Sequence, residues 1–440
     1  MHTEPSLPTP AEGVFLHALA ERLFPIHRSL TGDGVRESLS IIAEYVPGLT
    51  IHEVPSGTPV LDWTVPDEWN VESAFLEGPE GERILDVGNC NVHLVSYSEP
   101  VDSYLSLDDL QERLHSDPEH RDAIPYVTSY YHRTWGFCLS ADQRDQLVDG
   151  QYHAVINATL DPGSLTYGEL VIPGETNHEV LLTTYICHPS LANNELSGPM
   201  VAVGLARWLM TLPSRRYTYR IVFAPETIGA ITYIDRNLDT LRSNVVAAIN
   251  LTCIGDDGDY SYLASRTGNT AIDRIAHRVV HTYPRPVEYS YLDRGSDERH
   301  YGMPGVDVPM VSLMRTKYGV YPEYHTHLDD LTVVTPTGLQ GGLDLVRDCL
   351  VELEQSDYYQ STVLAEPQLG RRGLYHTMHA RTVANEVLLR TNVLAYADGQ
   401  HSVADMVDLF NVREQDVHAI VDELVRHHLL QPGPLRKAHS

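Results

Sequence analysis

The chain has 440 residues, about three times a typical single-domain length, so two or three folding units are expected. Lys plus Arg number 31 against 60 for Asp plus Glu, a formal charge of −29 that repels nucleic-acid phosphates and anionic lipid. With 42% hydrophobic and 21% charged residues the composition excludes a disordered chain, and no run reaches the roughly eighteen apolar residues of a membrane-spanning helix.

At the start, Met1 to Pro10 lacks the basic residues and apolar run of a secretory signal, which favours the cytoplasm. Between Glu12 and Tyr45, Val14, Leu16, Leu19 and Leu23, then Leu39, Ile41, Ile42 and Tyr45, recur at helical spacing on either side of Arg28-Ser29-Leu30-Thr31-Gly32. That spacing predicts two helices joined by a polar loop. From about Val60 to Gly150 the prolines at 66, 79, 100, 118 and 125 punctuate short alternating runs, which predicts a small strand-rich unit with a helix near Leu107 to Leu114.

Beyond it, Val180 to Ile186, Tyr219 to Ala224, Val245 to Leu251 and Val308 to Leu313 are near-continuous apolar strands, separated by helical stretches such as Pro199 to Met210 and followed by Leu339 to Leu353. Strands of that kind are buried on both faces, so the expected fold class is α/β, a mainly parallel sheet flanked by helices. After the polar stretch Glu366 to Gly373, the segments from Val387 to Tyr396, Val403 to Leu409 and Val417 to Leu429 predict a small winged-helix unit. Its second helix carries Glu414, Asp416, Asp422 and Glu423, which argues for packing or partner binding rather than DNA reading. The cysteines at 90, 138, 187, 253 and 349 are scattered and without CxxC spacing, so they are expected to be reduced core thiols.

In an open α/β sheet, ligands bind beyond the carboxyl ends of the strands. The four strands are followed by Cys187-His188 through Asn194-Glu195, by Pro225-Glu226-Thr227, by Thr252-Cys253-Ile254-Gly255-Asp256-Asp257, and by Tyr324-His325-Thr326-His327. Two imidazoles and a carboxylate hold zinc with one position open, and His188, Glu195 and His325 meet that formula, with Glu226 free as general base. His327 is two residues from His325 and would face the other way in an extended segment. Asp297 and Glu298, in a charged loop before the fourth strand, are candidates to hold a substrate ammonium, and Arg28, Tyr130, Tyr131 and Trp135 to wall the pocket.

These segments, together with Pro66-Asp67-Glu68-Trp69, Gly295-Ser296-Asp297-Glu298-Arg299 and Tyr321-Pro322-Glu323-Tyr324-His325-Thr326, closely resemble a bacterial family of aminopeptidase-like proteins over about residues 14 to 430. The resemblance implies a zinc exopeptidase of the bacterial leucyl-aminopeptidase type, with an inserted small α+β domain and a C-terminal winged helix. Its division of the chain is a discontinuous zinc domain at 1–60 and 160–375, an insert at 61–159 and a winged helix at 380–440. Carried over position by position, the ligands of the wider dizinc superfamily fall on His188 and His325, but the bridging aspartate falls on Asn194, the second of the paired glutamates on Thr227, and a further aspartate on Thr252, with Asp256 or Asp257 a turn further on. In that scheme the two histidines serve different ions, so one zinc shared by both implies a contracted site.

The expectation is one zinc ion, with Asn194 and Asp257 as weaker ligand candidates. The substrate would be a small peptide, aminoacyl or acylamino compound, with no nucleic acid or membrane partner; a homo-oligomer is compatible with the sequence. The rival reading is a peptidase fold that has lost catalysis and serves as a binding or scaffold protein.

Overall fold

Residues 11–374 and 381–437 are described by a computed structural model. Residues 1–10, on which the expectation of no secretory signal rests, lie outside them, as do the two ends of the expected 380–440 unit. The centre is a sheet of eight strands: β1 Thr50–Pro55, β2 Ser164–Ile172, β3 Glu179–Tyr185, β4 Thr218–Ala224, β5 Val245–Leu251, β6 Tyr260–Leu263, β7 Pro286–Tyr289 and β8 Met310–Met314. Their spatial order is β1-β2-β4-β3-β5-β8-β6-β7. The inner four, β4, β3, β5 and β8, are mutually parallel, while β1, β2 and β6 pair antiparallel to their inner neighbours.

Every residue of β3, β5 and β8 is buried, which is why these strands read as unbroken apolar runs. Val180 and Leu182 point into one core and Leu181 and Tyr185 into the other, the period of two that a pleated strand imposes. The first core is covered by α1 (Ala11–Leu23), α2 (Asp33–Ala43), α3 (Ser197–Thr211), α5 (Ala271–Val280) and α6 (Pro336–Gln355), with α4 (Ile228–Asn244) on the opposite face. The sheet is wider than the four expected strands. Its outer members are short or partly exposed, β7 alternating between exposed and half-buried residues, so they lack the continuous apolar signature.

The strand-rich unit between β1 and β2 is an antiparallel four-stranded sheet, ordered Arg83–Asp86, Glu68–Glu77, Gln151–Asp161, Val101–Ser106. Its helix spans Leu107–Gln111. Trp69, Leu76 and Tyr152 share a continuous core with Leu181 and Val222, so this unit is packed directly on the main sheet.

At the other end, a strand at Tyr358–Ser361 is flanked by strands Asp398–Ser402 and Leu430–Gly433, with helices Arg381–Tyr396, Val403–Phe410 and Glu414–Arg426. Val393, Met406, Val417, Val421 and Leu424 form its core. This winged-helix unit therefore begins upstream of residue 380, because its central strand pairs with one seventy residues later, a contact that local periodicity does not encode. Asp405 fastens it to the main body: its carboxylate lies 2.7 Å from Arg278 and 3.0 Å from Arg274, both on α5. Among the described residues, no helix is long and apolar enough to cross a membrane.

Candidate metal centre

The carboxyl ends of β3, β4, β5 and β8 converge, and the backbone there is forced into unusual shapes. Ser190, Thr227, Cys253 and His325 all adopt left-handed φ, at 41°, 62°, 46° and 56°. For a β-branched residue such as Thr227 this is a strained conformation, held only because the surroundings over-determine it. Its N–H donates to Asp297 Oδ1 at 2.9 Å and its hydroxyl accepts from Arg299 at 2.7 Å. The turn aims the preceding side chain, Glu226, at His188, whose Nε2 lies 3.7 Å from Glu226 Oε2.

His188 is buried and tightly oriented. Its Nδ1–H donates to Glu195 Oε2 at 2.7 Å, while Glu195 Oε1 accepts from the backbone N–H of Cys187 and lies 3.6 Å from Arg28 Nε. Glu195 thus stands where an outer carboxylate orients a metal-binding imidazole, leaving Nε2 as the free donor atom. This differs from the sequence expectation that Glu195 itself is a ligand: both of its oxygens are committed on the Nδ1 side. Arg28, expected to wall the pocket, is fully buried and serves the same assembly, donating also to the carbonyls of His188 (3.2 Å) and Leu23 (2.7 Å). Burial opposes the His188 imidazolium, but the Glu195 carboxylate outweighs it and holds the pKa above its ordinary value.

His325 meets His188 with ring centroids 5.9 Å apart. Two imidazoles on one tetrahedral zinc, with Zn–N bonds of about 2 Å, have centroids roughly 5 Å apart, so the two rings would have to close on each other to share an ion. Tyr324 stacks on the His325 ring at 4.0 Å, and Tyr126 contacts both imidazoles. The His325 ring makes no hydrogen bond among the described residues, and burial together with the charge on His188 lowers its pKa to about 3. This half-buried, unprotonated imidazole is available to a cation. His327 turns away, its Nδ1 accepting from the N–H of Ile124 at 3.0 Å.

His188 Nε2 and His325 are the residues that could hold a divalent ion here, with Glu226 the adjacent carboxylate. Among the described residues, His325 joins no group of three ligand atoms within 4.8 Å of one another, whereas Cys187, His188 and Glu195 do. That latter trio is poor: burial pushes the Cys187 thiol well up, and its sulfur accepts from the N–H of Glu226 at 3.2 Å.

The positions carried over for a second metal are neutral and mostly occupied by one another. Tyr185 bonds Thr252 Oγ1 at 2.6 Å and donates to Asn194 Oδ1 at 3.3 Å, so the oxygen of Asn194 is already engaged. Asp257 is exposed and accepts from Thr335 at 2.9 Å, remote from this cluster. The buried Asp256 accepts from Asn193 and Thr316.

Of the proposed substrate groups, Asp297 is buried behind Glu226, and burial, reinforced by Glu226, raises its pKa well above the carboxylate range. Burial also raises Glu226, with His188 and Arg299 opposing. Glu298 is a correction: it is fully buried and saturated by five donors, the N–H groups of Gly295 and Ser296, the Tyr318 and Ser312 hydroxyls and the Asn250 amide, which leaves nothing for a substrate. Tyr131 is a second correction. It is 49% exposed and packs on Trp63 outside the cluster. The Tyr130 hydroxyl lies 2.7 Å from that of Tyr126.

Sequence reasoning missed Tyr126, Tyr185 and Asp329. Asp329 accepts the N–H groups of Asn193 (2.7 Å) and Asn194 (2.8 Å), pinning the turn that carries Glu195. Only the unusual count of 25 tyrosines against 6 phenylalanines hinted at the aromatic wall.

Fold and site together define an aminopeptidase-like protein with a C-terminal winged helix-turn-helix. The chain belongs to the family described as domain of unknown function DUF4910, which matches residues 17–356, and a winged helix-turn-helix model matches 357–432. It is 40% identical, over 94% of its length and 96% of the relative's, to a Clostridium acetobutylicum protein described as "Putative polysaccharide biosynthesis protein with aminopeptidase-like domain". A crystal structure of a peptidase, so described with the word "putative", from the same organism superposes with a TM-score of 0.81 at 39% identity, covering 96% of this chain and 97% of that one. A zinc aminopeptidase from Bacillus subtilis shares the fold, with a TM-score of 0.57 at 13% identity over 79% of this chain and 95% of that one.

Proposed function

We propose that this protein is a hydrolase of aminopeptidase type that cleaves an amide bond of a small polar substrate, with one zinc ion at His188 and His325 and Glu226 as general base. The observation that carries the reading is the Glu226 carboxylate 3.7 Å from the free nitrogen of an imidazole that Glu195 holds in register. Zinc bound there supplies Lewis acidity toward a carbonyl and makes a neighbouring water more acidic. Glu226 takes the proton from the attacking water and passes it to the leaving nitrogen; burial raises its pKa, which makes the carboxylate a stronger proton acceptor than an exposed one. Asp297, buried behind Glu226 and pushed toward its neutral form, holds the Thr227 turn rather than meeting a substrate charge, while Tyr126, Tyr130 and Tyr324 supply flat walls with polar tips.

The Clostridium relative's description ties that protein to polysaccharide biosynthesis, which supports acylamino sugars beside aminoacyl compounds and small peptides as substrates to test. The acidic second helix of the winged-helix unit supports a packing or partner role there and no nucleic-acid partner. Asn194, Thr227 and Thr252 favour the second reading, a binding protein that has lost catalysis.

The deciding experiment compares wild type with Glu226→Gln on a panel of aminoacyl and acylamino substrates, with zinc content measured in both. The expected result is equal zinc and at least about a hundredfold lower kcat in the variant. Full activity in Glu226→Gln removes the base, and a zinc-loaded wild type that hydrolyses nothing favours the binding protein.

A further inference from the structure

The geometry points to a second, peripheral divalent-cation site at His277, His281 and Glu288, of the type that takes Zn2+. His277 on α5 and His281 at its C-cap are four residues apart, so their rings lie on one face, tilted by 50° with centroids 4.6 Å apart. Glu288 reaches them from β7: its Oε1 lies 2.5 Å from His277 Nδ1 and 3.5 Å from His281 Nδ1. One ligand atom from each of the three lies within 4.8 Å of the other two. The side chains are 58%, 48% and 40% exposed, so an ion that replaces the His277–Glu288 hydrogen bond can draw them to the roughly 3.4 Å edge of a zinc tetrahedron while water fills the remaining position.

Three further features favour a cation over a simple ion pair. His281 Nδ1–H donates to the carbonyl of His277 at 2.8 Å, the outer hydrogen bond that orients a metal-binding imidazole and leaves Nε2 free. His281 sits at the C-cap of α5, where the helix dipole presents its negative end. The formal charge of −29 adds a favourable field for any cation approaching the surface. Imidazole with one carboxylate selects zinc, or the more strongly bound copper, over magnesium and calcium. An ion here ties α5 to β7 beside Arg274 and Arg278, the residues on which the winged-helix unit is docked. This site shares no residue with the central cluster and does not rest on the hydrolase reading.

The test is calorimetric titration of the full chain, stripped of metal by chelation, with zinc chloride. His277→Ala/His281→Ala is expected to take up one equivalent less than wild type, and Glu288→Gln to keep that equivalent at about tenfold or more weaker affinity. His188→Ala/His325→Ala is expected to retain it. Unchanged stoichiometry and affinity in His277→Ala/His281→Ala overturns the proposal, as does loss of all zinc uptake in His188→Ala/His325→Ala. All three peripheral side chains are exposed, and matching thermal melts of metal-free wild type and variants confirm that a lost equivalent is not a lost fold.

Discussion

Arg28 and Glu195 are both fully buried, yet they meet poorly as an ion pair: their closest approach is 3.6 Å, and Arg28 Nη2 has no hydrogen-bond partner among the described residues. A buried pair of this kind contributes little net stability, but removing one member leaves the other charge uncompensated. Glu195→Ala is therefore expected to lower unfolding stability by about 3–5 kcal/mol, read by urea denaturation. Arg28→Met/Glu195→Leu is expected to recover at least half of that loss, because both charges leave together. Zinc affinity separates the two roles of Glu195. It is expected to fall by about 10–100-fold in both variants, since His188 loses its orienting acceptor in each, and calorimetry measures it. Recovery of affinity in the double variant would show that Glu195 acts only as a counter-ion.

At the scale of elements, α3 is where sheet and site meet. Its Gly198 lies so close to β3 and β5 that a Cβ there would stand 2.3 Å from Thr184 Oγ1 and 2.4 Å from the Leu251 carbonyl oxygen. Gly198→Ala must push the helix off the sheet, which is expected to cost about 2 kcal/mol or more in thermal unfolding. It should also displace the preceding turn, residues 192–196, that carries Asn194 and Glu195. The inner strands and the helices α3 and α6 were legible in sequence because unbroken burial and helical periodicity are local patterns. Edge strands such as β7 and the central strand of the winged-helix unit were not, since pairing partners far along the chain decide them. Within the site, His188, Glu226 and His325 were legible as residue types at strand ends. The commitment of Glu195 to the Nδ1 side and of Glu298 to five donors was not, because both depend on which groups arrive from other segments.

Across the whole molecule, the winged-helix unit is held to the α/β body by Asp405, which also caps its own helix through Ser402 and is 4% exposed. Burial works against this carboxylate, but Arg274 and Arg278 outweigh it and hold its pKa below the ordinary value. A carboxyl depressed in the folded state contributes stability that is complete above its unfolded pKa, about 3.9, and is lost as pH falls below it. Limited proteolysis of the junction is accordingly expected to accelerate below about pH 4 in wild type. In Asp405→Asn, cleavage should be faster at neutral pH and lack that acid step; identical pH profiles would place the docking elsewhere. The sequence by itself determined the two-faced burial of the inner strands, the clustering of ligand-type residues at their carboxyl ends and the acidic winged-helix terminus, because alternation, periodicity and composition are properties of neighbouring residues. Only the tertiary structure decided that His188 and His325 share one cluster, that Arg28 and Glu195 serve as its buried support, and that neutral Asn194 and Thr252 close around Tyr185. Those outcomes follow from loops of distant strands meeting in a low-dielectric interior, where each donor and acceptor takes whichever partner the fold delivers.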